Sequence, residues 1–161
     1  MFTARFLVSA AALVATALSG VSAETHIVTF DNRCGTGTPM LKANGQTLST
    51  GGAYTSNGPL RAAIAYLQTG VCGDNGENCL TVETTLVNPT TPGSGSSTDL
   101  TLIPPHAFQT TSGFAYYSGC DGAGADCTSG SCSTAFFQPD DTHVQVGCQA
   151  NNVNLVITFC A

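Results

Sequence analysis

Residues 76–108 read GENCLTVETTLVNPTTPGSGSSTDLTLIPPHAF. Two short runs, CLTVETTLV at 79–87 and DLTLI at 99–103, flank a stretch of Pro, Gly, Ser and Thr at 88–98. Apolar residues recurring every second position, bounded by turn residues, are the pattern of strands and not of helices. Each run carries one carboxylate: Glu83 lies inside the first, and Asp99 heads the second. Only 9% of the chain is charged. Two acids placed this way are either a pair with chemistry to perform or solvated residues on a small β-protein.

The same patterning extends in both directions. THIVTF alternates near the start, and PMLKANGQTLS carries Asn44-Gly45 between two runs, the signal of a type I′ hairpin. GFAYYSG, HVQVGC and VNLVITFC follow, and in the last Val153, Leu155, Ile157 and Phe159 share one face. GPLRAAIAYLQTG, residues 58–70, fits either a helix of under three turns, with Pro59 in its first turn, or a strand. At least seven closely spaced strands imply an all-β sandwich or barrel. There is no internal repeat and no interdomain linker. The hydroxyl-rich segment 88–98 reads as a long flexible loop suited to O-linked sugars. No Asn-x-Ser/Thr sequon occurs, because Asn88 precedes a proline.

The first 23 residues read as a signal peptide. Arg5 supplies the positive end, FLVSAAALVATAL the short apolar segment, and VSA the cleavage site before Glu24. The expected mature chain is then residues 24–161, one domain, secreted and free of a membrane anchor. Within it Arg33, Lys42 and Arg61 face ten acids. That balance excludes nucleic acid and anionic membrane surfaces, which need a basic face. All eight cysteines lie in this part, and an even number in an exported chain implies four disulfides and not a metal site.

Taken together, VTFDNRC at the start, GVCGDNGENC, TVETTL, DLTLI and GFAYYSGC in the middle, and VNLVITFC at the end resemble the thaumatin-like family in its short, secreted, fungal, glycopeptide-type form. The resemblance covers residues 25–160. It implies a disulfide-stapled β-sandwich whose first and last strands lie together. The implied pairings are Cys34 with Cys160, Cys72 with Cys79, Cys120 with Cys148 and Cys127 with Cys132. The interval from Cys120 to Cys148 is short, so the family's second domain is expected to be reduced or absent. The family's cleft has an Arg shortly before the first loop cysteine; here that stretch is IAYLQTGVC, without a cation. A second Asp of the family's D-x-x-D strand is missing as well, leaving Asp99 alone.

The resemblance places Glu83 and Asp99 on the cleft positions, as candidate catalytic acids, with Asp140 and Asp141 as a third acidic position. Two carboxylates cleave a glycosidic bond when one is kept protonated and the other acts as nucleophile or activates water. With one cleft wall thin, the expectation is a shallow groove, carboxyl pKa values close to normal, and glucan binding in place of fast cleavage. Tyr66 and Tyr117 are the expected aromatic contacts for sugar, the chain having no Trp. An amino-terminal His can chelate copper, but His26 would reach that position only after trimming beyond Glu24. His106 and His143 lack a Ser or Cys partner and read as structural. The expected partner is a cell-wall polysaccharide, β-1,3-glucan, as for an antifungal protein, or alternatively an extracellular protein that the chain binds or inhibits without catalysis. No cofactor and no metal are expected, and the chain reads as a monomer.

Overall fold

The computed structural model describes residues 23–161; the segment read as a signal peptide lies outside the described residues except for Ala23. Among the described residues, twelve strands and one 3-10 turn (Thr142–Val144) follow one another: β1 His26–Asn32, β2 Thr38–Ala43, β3 Gln46–Ser49, β4 Tyr54–Ser56, β5 Leu60–Gln68, β6 Thr81–Leu86, β7 Ser96–Thr101, β8 Ser112–Tyr117, β9 Gly124–Cys127, β10 Ala135–Phe136, β11 Val146–Cys148 and β12 Asn154–Phe159. They form two sheets. One has the order β4-β1-β12-β8-β9, and the other β10-β7-β6-β5-β2-β3, with β11 also paired to β7. Apolar side chains of both sheets meet in one core cluster, so the fold is an all-β sandwich.

The period-two alternation decides what faces that core. On β12 and the residue before it, Val153, Leu155, Ile157 and Phe159 are all fully buried. β12 runs parallel to β1, with Val28 opposite Leu155 and Phe30 opposite Ile157. The rings of Phe30 and Phe159 stack at 6.4 Å. The pairing continues past the strands through Arg33 N–H to the Phe159 carbonyl, 3.0 Å. Cys34–Cys160 then closes it, and the other three disulfides are Cys72–Cys79, Cys120–Cys148 and Cys127–Cys132. The first and last strands therefore lie together, and all eight cysteines pair as the family resemblance implies.

Residues 58–70, readable two ways, form a strand. Ala63, Ala65 and Leu67 alternate into the core, and β5 hydrogen-bonds to β2 on one side and β6 on the other. The hairpin at Asn44-Gly45 has positive φ at both central residues, 52° and 74°, as a type I′ turn requires. The loop read as long and flexible is shorter and tied down. β7 already begins at Ser96, the Ser94 hydroxyl accepts the N–H groups of Thr90 and Thr91, and Gln149 accepts those of Gly93 and Gly95. Its hydroxyls and neighbours satisfy the backbone that water would otherwise solvate. The interval from Cys120 to Cys148 contributes β9 to one sheet and β10 and β11 to the other.

A buried polar chain joins the sheets. The Thr84 and Thr98 hydroxyls are 2.6 Å apart, and the Tyr116 hydroxyl lies 2.8 Å from Thr98 and 3.0 Å from the Val146 carbonyl. Each hydroxyl can donate once along this path, Thr84 to Thr98 to Tyr116 to Val146, so none is left unsatisfied in the core.

His26 is buried with its two ring nitrogens occupied. Nδ1 lies 2.6 Å from the Val153 carbonyl, and Nε2 lies 3.1 Å from Glu24. It therefore ties the segment before β1 to the segment entering β12, and its ring is not presented as a copper chelate.

Loop-closure entropy ranks the staples: separations of 126 and 5 residues for Cys34–Cys160 and Cys127–Cys132 correspond to about 5 and about 2 kcal/mol. Urea unfolding of the paired Cys→Ser variants is expected to show the first lowering stability by about 3 kcal/mol more than the second. Equal losses would mean that the terminal staple does not constrain the unfolded chain.

Candidate functional site

β5, β6 and β7 are neighbours, and their register lines up one residue from each. Ile64 is opposite Glu83, and Glu83 is opposite Asp99. The row extends outward to Lys42 on β2, opposite Ile64. On the far edge Val146 pairs with Thr98, so Gln145, one residue before β11, falls beside Asp99. Lys42, Ile64, Glu83, Asp99 and Gln145 thus form a line across the sheet, on the face turned away from Val82 and Leu100, which point into the core. Side chains directly opposite on adjacent strands have Cβ atoms about 5 Å apart. The structure brings Glu83 and Asp99 together.

Glu83 and Asp99 differ in environment. Glu83 is exposed, while Asp99 is only 7% exposed. Gln145 donates to Asp99 Oδ2 at 3.4 Å, but Oδ1 is buried without a partner. The hydroxyl of Ser97, two residues earlier on the same face, is also buried without a partner. Burial pushes the Asp99 carboxyl up to about 6, and the Glu83 carboxylate adds to the push against the opposing hydrogen bond from Gln145. The expectation that neither carboxyl moves far is therefore corrected: the edge strands over β7 desolvate Asp99 even though the groove is open.

Two cavities meet along this row. One, of about 280 Å³, is lined by Ala62, Ile64, Glu83, Ser97, Asp99 and Gln145. The other, of about 290 Å³, is lined by Lys42, Asn44, Ala62, Ile64, Glu83 and His106 among others. Glu83, Ile64 and Ala62 belong to both, so the cavities form one groove with Glu83 at its middle. The disulfide loop 72–79 makes one wall. It lies over Tyr66 and Thr81, which would otherwise continue the open face. The Tyr66 hydroxyl donates to the Asp74 carbonyl at 3.0 Å, and Lys42 forms a salt bridge to the Asp74 carboxylate. Gly76, at φ 81°, permits this close approach: a Cβ there would stand 2.4 Å from Thr81 Oγ1.

The other expected site residues lie elsewhere. Tyr66 is 1% exposed beneath the loop, so its ring is withdrawn from any ligand. Tyr117 is half-buried on β8 in the other sheet, on the face opposite Phe114 and Tyr116, which point into the core. The sandwich therefore separates it from Glu83. Asp140 is exposed, and Asp141 accepts the N–H groups of Phe137 and Gln138 at 2.9 Å, which hold its carboxyl below the usual range. Neither lines the groove. Lys42, Ser97, Gln145 and His106 were not anticipated. Ser97 had a legible signal, sharing Asp99's face at a spacing of two; Gln145 had none, because its place depends on β11 pairing with β7.

No protein-family model matches the chain, and no curated protein matches it. Among solved structures it is similar to a thaumatin-like xylanase inhibitor, at 18% identity and a TM-score of 0.54, over 84% of this chain and 99% of that one. The fold is thaumatin-like, and its dense disulfides suit an extracellular protein.

The raised pKa of Asp99 gives a pH signature. The folded carboxyl titrates at about 6 against an ordinary 3.8, so folding takes up a proton in that window and stability falls as pH rises through it. Asp99→Asn removes the effect. Its melting temperature is expected to exceed that of the wild type by a few degrees at about pH 8, with the gain gone below about pH 4. A gain that does not depend on pH would place Asp99 in a solvated site.

Proposed function

We propose that this protein binds a neutral cell-wall polysaccharide, β-1,3-glucan first among candidates, along the groove centred on Glu83. The observation that carries the reading is that Asp99 and Ser97, each with a buried polar atom that no protein group satisfies, line one cavity with Glu83. Buried polar atoms are paired in native proteins, and an exception marks a place where a partner is missing. Sugar hydroxyls both donate and accept, which is what a protonated or ionised carboxyl and a serine hydroxyl require. Each cavity is at the small end of ligand sites, about 300 Å³ and upward, which suits successive units of a polymer better than one large ligand. The choice of β-1,3-glucan rests on the family resemblance of the acid-bearing strands.

The same pair has the make-up of a glycosidase acid and its carboxylate partner: Asp99 retains its proton to about pH 6, and Glu83 is its cross-strand neighbour. The groove is open to water, which weakens electrostatic stabilisation of a developing charge, so hydrolysis by this pair is slow. A second reading is inhibition of a secreted glycan hydrolase by protein–protein contact. It is supported by the likeness of the fold to a thaumatin-like xylanase inhibitor.

Retention on insoluble β-1,3-glucan, with chitin and cellulose alongside, tests the first reading. Glu83→Gln and Asp99→Asn are each expected to weaken retention about fivefold, the worth of one net hydrogen bond of about 1 kcal/mol. Wild-type protein that ignores the glucan and instead inhibits a xylanase stoichiometrically would replace it with the second.

A further inference from the structure

A larger cavity beside the groove lies around the corner of the β2–β3 hairpin. It has a volume of about 520 Å³, and Asn44, Gln46, Leu48, Tyr54 and Arg61 are among its lining residues. It sits where β3, an edge strand of one sheet, approaches β4, an edge strand of the other. Ala43 and Asn44 line both this cavity and the one at Glu83, so the two are contiguous.

A bulge aims Arg61 at this place. The register between β5 and β6 shifts between Leu60 and Ala63, leaving Arg61 and Ala62 together where regular pairing has one outward residue. Ala62 adopts φ 49°, a left-handed conformation that costs a residue with a Cβ about 1–2 kcal/mol. Bulges beside binding sites re-aim a side chain, and backbone strain concentrates where function holds it. The effect here is that Ala62 lines the acid groove while Arg61 lines the next cavity. Among the described residues the chain has three cations. Arg33 is paired with Asp31 and Lys42 with Asp74, but Arg61 has no salt bridge and no side-chain hydrogen bond. Its charge is felt by Glu24, but that carboxylate is already engaged by the Asn88 N–H and His26, so the Arg61 guanidinium keeps its N–H groups for another anion.

We propose that this cavity is a second glycan subsite, selective for a sugar bearing a carboxylate, a uronic acid carried as an isolated substituent on an otherwise neutral polysaccharide. The Arg61 guanidinium matches a carboxylate with two parallel N–H bonds. The side-chain amides of Asn44 and Gln46 supply donors and acceptors for ring hydroxyls, and the half-buried Tyr54 presents an aromatic surface to a pyranose face. The acidic balance of the whole chain repels dense polyanions, which favours an isolated carboxylate over a polyuronate or an acidic peptide. The subsite extends the groove reading, but its carboxylate recognition needs neither Glu83 nor Asp99.

Calorimetric titration with a laminaritriose carrying one glucuronic acid, against unsubstituted laminaritriose, tests it. The wild type is expected to favour the acidic probe about tenfold, as a charge-assisted hydrogen-bond pair allows, and the preference is expected to weaken with added salt. Arg61→Gln should abolish the preference, and Arg61→Lys should restore part of it. Glu83→Gln/Asp99→Asn should keep it, which separates this subsite from failure of the groove reading. Backbone amide shifts in the wild type on adding the acidic probe should centre on Tyr54 and Arg61. Equal affinity for the two probes, a preference that survives in Arg61→Gln, or tighter binding of a Glu-rich peptide would each overturn the proposal.

Discussion

The strand register of β5, β6 and β7 is the constraint on which the groove depends. A slip of one residue between β6 and β7 would turn Asp99 into the core and bring Leu100 out to the groove. The inner face prevents it. Val82, Thr84 and Leu86 on β6, with Thr98 and Leu100 on β7, are buried in the core, and Thr84 and Thr98 are locked to Tyr116 across the sheets. The core thereby sets the positions of outward residues it never touches. β11 carries the same logic one strand further, because its pairing to Ser96–Thr98 brings Gln145 beside Asp99.

Holding Asp99 in this way opposes folding. Its carboxyl is nearly buried, it has one weak partner, and it lies next to another acid. A core-optimised protein would place a neutral residue there. The cost is tolerated because the structure is stabilised elsewhere, by four disulfides and a continuous apolar core through both sheets. Ala62 in its left-handed conformation is a second local cost in the same groove. Strain and a poorly satisfied buried acid in one place, inside a scaffold consistent elsewhere, are the local conflicts expected where stability is traded for recognition, as the proposed function requires.

Much of the scaffold was legible in the sequence, because period-two alternation and turn residues act locally. The two runs that carry Glu83 and Asp99 were readable as strands, their choice as candidate acids came from the resemblance, and Asn44-Gly45 marked its hairpin. The disulfide pairing came from resemblance, since eight cysteines alone leave 105 connectivities open. What escaped depends on long-range pairing. Tyr66 has the right face but the wrong cover, because the loop 72–79 folds back over it. Tyr117 has the right alternation but belongs to the other sheet. Lys42 has no sequence mark that would place it in line with two acids from distant strands. The pKa of Asp99 follows from edge strands that sequence periodicity does not reveal, β10 being two residues long and β11 three.

Under the proposed function, the buried, unpartnered polar atoms of Asp99 and Ser97 serve a bound sugar. A crystal structure with a laminari-oligosaccharide tests it most directly. The expected result is a ring in the groove at Glu83 with hydroxyls within hydrogen-bond distance of Asp99 Oδ1 and Ser97 Oγ. An oligosaccharide bound on the opposite sheet around Tyr117, with the Glu83 groove left to water, would contradict it.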